Sequence, residues 1–334
     1  MIQHYSFNIQ QAFAHDFLAE IGYLGTRGTH LFRQRSANQA LDATPSNPVR
    51  GETTDTLANL PLRVPLVGWD PQNLTVIESE GASWFNALES SLSKRFTHGL
   101  QFLASYTWSR SLSTDLNSTT GVNGGQSLGN QNDPRARYGP DSFVRPHRFV
   151  VSYLYQIPGP KNPNSFLGET LGGWMLSGVT TVQAGHYLSI TELNPTNAFG
   201  IVQDLGQFGP GCSNADIATH GSVQSRLNGY INATCVVPQP VIGADAVATG
   251  FGNMHPGILR GPDQVNTDFA VSKRFAMRWP SEGANVEFRT ELFNAFNHPQ
   301  FADPDLEATS ATFGQIQSTA VAPRVMQLAL KINF

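Results

Sequence analysis

Charge is scarce in this sequence: Asp, Glu, Lys and Arg together make up 14% of its 334 residues, against roughly 25% in ordinary soluble domains. The net charge is −4, so there is no basic surplus of the kind that follows a phosphate backbone, and nucleic acid is not expected as a partner. Long apolar runs are lacking as well. No window reaches the roughly 18 apolar residues with which a helix crosses about 30 Å of hydrocarbon, which excludes a helical membrane protein. The opening residues Met1-Ile2-Gln3-His4-Tyr5 have neither a basic n-region nor an apolar h-region, so an export signal is expected upstream of this chain. Cysteine is nearly absent. Cys212 and Cys235 lie in one polar, Gly/Pro-rich stretch; their spacing fits no zinc pattern, and in an exported protein they are expected to pair, stabilising the fold by about 3 kcal/mol.

Signatures of catalysis are missing too. There is no Gly-x-Ser-x-Gly, no His-Glu-x-x-His and no phosphate loop, so neither an enzyme nor a cofactor is expected. His298, Asp303 and Asp305 lie close together in the chain, yet their spacing matches no established metal site. A solvated loop with turns fixed by Pro299 and Pro304 accounts for them.

What is present is 21 Phe, 8 Tyr and 5 Trp beside 31 Gly and 21 Pro, a mixture that suits many strands joined by irregular loops. Segment 324–334 alternates: Met326, Leu328, Leu330, Ile332 and Phe334 share one face, and Gln327, Ala329, Lys331 and Asn333 the other. Period two predicts a strand with one apolar face. In 285–292, Val286, Phe288, Thr290 and Leu292 oppose Asn285, Glu287, Arg289 and Glu291. Three charges on one face suit a hydrated lumen better than a packed core. The same alternation predicts strands around Phe7 to Phe13, Phe17 to Tyr23, Trp84 to Phe96, Leu100 to Ser109, Arg148 to Ile157, Trp174 to Val182 and Phe269 to Phe275, about nine in all.

The links between these strands alternate in length. Short ones fall at 14–16, 97–99, 158–173 and 280–284, and long ones at 33–83, 110–146, 192–266 and 297–323. Short turns on one rim and long loops on the other are the habit of outer-membrane barrels. Trp84, Trp108, Trp174, Trp279, Tyr106, Tyr155, Phe96, Phe275 and Phe334 gather near strand ends, as interfacial girdles require. The predicted fold is therefore all-β, a transmembrane antiparallel barrel with long extracellular loops in the bacterial outer membrane, its apolar face against lipid. Nine is odd, whereas bacterial single-chain barrels are even-stranded, so further strands are expected before Met1. The inward faces nominate Glu20, Glu89, Arg95, Arg148, Glu287, Arg289 and Glu291 as lumen-facing; cross-strand ion pairing explains them as readily as contact with a substrate. Loops 110–146 and 192–266 are the expected place for an unknown ligand.

Gly81-Ala82-Ser83-Trp84-Phe85-Asn86-Ala87-Leu88, Ser105-Tyr106-Thr107-Trp108-Ser109, Arg145-Pro146-His147-Arg148-Phe149, Glu291-Leu292-Phe293-Asn294-Ala295-Phe296-Asn297-His298-Pro299-Gln300-Phe301 and the terminal Leu328 to Phe334 resemble the barrel region of TonB-dependent receptors, in particular the Oar-like group. The resemblance covers most of the chain and implies that residues 1–334 are the C-terminal part of a 22-stranded barrel. It further implies a plug, a carboxypeptidase-regulatory-like domain and a TonB box, none of which is visible in these residues. With those parts present, the partners implied are the plug, the TonB complex and the barrel assembly machinery, which would read the aromatic Phe334. A structural or adhesive surface barrel and a soluble all-β binding module are the alternative readings.

Overall fold

The computed structural model describes residues 1–14, 16–71, 74–114, 129–133, 135–160, 168, 170, 172–193, 198–200, 203–239, 250–277, 281 and 283–334. Nine long strands form one sheet: β1 (Ile2–Phe13), β2 (Phe17–Ser36), β3 (Thr75–Thr97), β4 (Leu100–Ser113), β5 (His147–Gln156), β6 (Trp174–Gln183), β7 (Gln264–Ala276), β8 (Asn285–Phe293) and β9 (Val325–Asn333). Each pairs antiparallel with its neighbours in chain order, and Gly139–Pro140 adds a two-residue rung beside β4. β1 and β9 lie at the two edges and do not pair with each other.

The nine predicted strands are the nine observed. The turn between β3 and β4 shows why the short links are tight: His98 at φ 51° and Gly99 at φ 81° give the two successive positive φ values that match a hairpin turn to strand twist. A side chain at Gly99 would lie 2.9 Å from the Gln156 carbonyl oxygen.

The long link predicted at 33–83 is corrected to 37–74, because β2 runs on to Ser36 and β3 begins at Thr75. Irregular register at Thr29/Leu31 and Leu31/Arg33 breaks period two beyond the stretch in which alternation is readable. Beyond the bulges, charge pairing replaces apolar alternation: Arg33 bonds Glu78 and reaches Glu80 at 3.3 Å, and Arg35 meets Glu78 at 2.8 Å.

Almost no side chain of the sheet is buried. Its buried hydrophobic residues are Ala87 and Ala270, whereas Leu188, Ile190, Phe199, Ile217, Met254 and Ile316, all in the long links, are within 7% of full burial. The links form a cap. Leu188, Ile190, Ile217, Tyr230, Ile231, Met254, Leu259 and Ile316 make one core, and Ala40, Leu60, Val64, Ala198 and Phe199 a second. Link 184–263 holds short ladders, including Thr191–Leu193 against Gln203–Leu205, and a one-turn helix, Asn214–Ile217, closed by a capping box between Ser213 and Asp216. The expectation of solvated, irregular loops is thereby corrected for the described residues. Their apolar side chains have no period, so only tertiary packing reveals them.

Candidate functional site: the inner wall and the cap

Register assigns every strand residue to a face. One face carries Phe7, Ile9, Ile21, Leu88, Phe102, Val151, Leu176, Val271, Phe288 and Leu330, aligned through successive pairs. The opposite face carries Glu20, Glu89, Arg148, Glu287, Arg289 and Glu291. Glu287 pairs with Arg274 at 2.9 Å, and Arg289 with Glu291 on its own strand at 2.7 Å. Glu20 accepts from the Asn8 amide and lines, with Glu89, Ser91, Ser105 and Thr107, a recess of about 250 Å³. Arg148 stands level with Thr107 and Gln183, and Arg95 lies exposed at the turn rim with its amide on the Asp16 carbonyl at 2.9 Å. Among the described residues Glu89, Arg95 and Arg148 form no ion pair.

Arg274 was missed by sequence reading, although it shares its face with Glu287 and parity alone would have found it. The inner face also departs from a wholly polar pattern. Leu103 and Val179 are 46% and 43% exposed there, and with Leu154, Ser152, Asp268 and Arg289 they line a groove of about 630 Å³.

The cap stands over the loop rim and ties all four long links together. Cys212 and Cys235 are joined by a disulfide with Cα atoms 5.6 Å apart, bracing the wall of the larger core. Link 294–324 docks through Ile316 N–H to Leu227 O at 2.7 Å and Tyr230 N–H to Gly314 O at 2.8 Å. Link 37–74 is anchored by Arg63, fully buried, which pairs with Asp55 at 2.8 Å, donates to the Ala198 carbonyl and stacks over Phe199. The Gln39 side chain bonds the backbone of link 114–146 both ways: its Nε2 donates to Gly129 O at 3.0 Å, and its Oε1 accepts from Gln131 N–H at 2.7 Å.

Glu192 and Asp204 face each other in the cap ladder. Burial first, then the charges of Asp204 and Glu307, pushes Glu192 up to about 7 against a bond from the Gln239 backbone. Asp204 rises to about 6 by burial, offset by the Gly252 and Leu205 N–H groups.

The trio His298, Asp303 and Asp305 disperses. His298 meets Gln300, Asp303 meets His186 at 3.0 Å, and Asp305 accepts from Ser310 and Thr312. Phe334 projects beyond β9, 88% exposed, and Trp279 lies outside the described residues.

A family model described as an outer membrane beta barrel domain matches residues 1–327. The chain belongs to that family. As an outer-membrane barrel domain it turns its apolar face to lipid and its charged face to the interior, with the short turns on one rim and the cap on the other. No curated protein matches it. Among solved structures it is similar to BauA, the ferric preacinetobactin receptor from Acinetobacter baumannii, at 11% identity and a TM-score of 0.43; the match covers 100% of this chain and 29% of that receptor.

Proposed function

We propose that this outer-membrane barrel domain is the C-terminal barrel portion of a TonB-dependent receptor of the Oar-like kind, a transport component rather than an enzyme. The observation that carries the reading is the inner wall. A barrel filled by its own side chains has no use for a strip of exposed Leu103 and Val179 and half-buried Leu154 beside Asp268 and Arg289. A strip of this kind suits a folded plug resting against the wall. The tied cap at the far rim suits a ligand-capturing vestibule whose ligand stays unnamed. In this reading Phe334 is the residue read by the barrel assembly machinery, and the TonB complex supplies the energy.

The test is peptide mapping of the native gene product from purified outer membrane. Peptides from a plug and a TonB box in the same polypeptide are the expected result. A mature polypeptide without them would overturn the transport reading and leave a surface barrel that displays its cap, a reading favoured by the cap having cores of its own.

A further inference from the structure

Charges on the lipid-facing side are sorted by height. Counting along the outward face from the turn side, β2 leads from Phe17 to Arg27 and β4 from Leu100 to Arg110, with Leu112 one outward step further, level with Trp84. Each arginine is thus the tenth residue beyond the turn-side start of its strand. Ten residues span roughly 33 Å along a strand, or about 25 Å of height once the strand tilts, which is the height of the apolar band of such barrels. Both arginines therefore stand at the loop-side edge of the lipid. Just inside them the girdle is polar-tipped: the Tyr23 and Tyr5 hydroxyls donate to Asn86 Oδ1 at 2.7 and 3.4 Å, which satisfies an outward amide.

Basic side chains at the two rims are handled differently. On the turn side, Lys94 donates to the Thr97 and Leu100 carbonyls and lies over the Phe17 ring. Lys273 donates to the Thr170 carbonyl and lies over Trp174 and Phe275. Arg27 and Arg110 are exposed, and their guanidinium groups have no hydrogen bond or ion pair among the described residues. Within the apolar band no carboxylate of the nine strands faces outward to neutralise them. They flank β3: Arg27 is level with Trp84 and Arg110 with Asn86. Two strand spacings and a two-residue offset put their Cα atoms roughly 12 Å apart, so both side chains reach one headgroup. Trp84 lies between them, braced edge-on by Tyr138 at 5.6 Å.

We propose that Arg27 and Arg110 form a docking site for the phosphorylated headgroup of a glycolipid in the leaflet next to the cap. A planar guanidinium grips phosphate through two parallel N–H bonds, and at this height the lipid's phosphates are the available anions. The apolar flank of β2 to β4 below takes the acyl chains.

The test uses the native gene product extracted from outer membrane into detergent and titrated with bisphosphorylated lipid A, with the same lipid dephosphorylated, and with inorganic phosphate. The expected result is a preference of about tenfold or more for the phosphorylated lipid. That preference is lost in Arg27→Gln/Arg110→Gln, halved on a logarithmic scale in each single variant, and kept in the inward control Arg148→Gln. Inorganic phosphate does not displace the lipid. Equal binding of the phosphorylated lipid by the double variant would overturn the site, and displacement by inorganic phosphate would overturn the assignment to lipid. Heat-modifiable electrophoretic mobility checks the fold of each variant. Both singles sit at exposed positions, so they carry the test if the double variant misfolds.

Discussion

The wall and the cap both use aliphatic side chains such as isoleucine, but they are turned inside out relative to each other. In the wall, Ile9, Ile21 and Leu330 are 52%, 47% and 67% exposed, while in the cap Ile190 and Ile217 are wholly buried. The difference follows from the surrounding medium. Lipid is as apolar as isoleucine, so the wall needs no core and instead must satisfy its backbone in a continuous ladder. The cap meets water and must bury apolar surface as any soluble domain does. One chain therefore holds two folding problems, separated along the strands at about the height of Arg27 and Arg110.

The strongest way to break the comparison is to empty the cap. Ile190→Ala should cost about 2–5 kcal/mol, read as faster hydrogen exchange across 187–193 and 203–208 with strands β4 to β7 unchanged. Loss of protection throughout the wall would show that the two regions fold as one unit. Next in size is a charge against lipid. Ile21→Arg should destabilise the refolded barrel by about 2–4 kcal/mol, while Glu20→Gln, one residue away on the inner face, should stay within about 1 kcal/mol. Equal penalties in denaturant titration would mean that the faces have been assigned wrongly.

A pH dependence sharpens the contrast from the cap side. Glu192 rises from an ordinary 4.5 to about 7 and Asp204 from 3.8 to about 6, because burial favours their neutral forms. Over that interval the folded cap holds more protons than the unfolded chain, so its stability is greatest at the acid end and falls as pH rises through about 7. Exchange in the ladder 191–193, corrected for intrinsic rates, should quicken between pH 5 and 8 and lose most of that slope in Glu192→Gln. A flat wild-type profile would remove the buried carboxyls from the account. The smallest effect is expected inside the wall. Arg274→Gln breaks the pair with Glu287, yet Arg274 is 67% exposed, so the loss should stay below about 1 kcal/mol.

The wall was legible because lipid and lumen impose period two on every strand that separates them. Val286, Phe288, Thr290 and Leu292 against Glu287, Arg289 and Glu291 say which side each residue takes before any coordinate is known. Reading stopped at Tyr23 on β2, where Gly25 and then Arg27 interrupt the apolar face and the bulges after Thr29 shift parity. The ion pairs of Arg33 and Arg35 lie beyond that point. In the cap nothing repeats. Ile190, Ile217, Met254 and Ile316 meet from positions up to 126 residues apart, and only the two cysteines hinted at order there. The outward arginines are legible in the sequence by parity and a count of ten residues from the turn rim.

The upper halves of β2 and β3 continue as a paired ribbon well past the lipid edge, and this has a consequence for how such a molecule can change length. Beyond its two register shifts this ribbon alternates sides, and so it admits edits only in matched pairs. Removing two residues from each strand above the lipid would lower that side of the cap by roughly 7 Å and return every side chain to its own face. Removing one would turn the ribbon over and set Arg33 and Glu78 against the wrong neighbours. The height at which this side of the cap is carried is thus quantised, and related chains should differ there by even numbers of residues or mark the exception with a bulge.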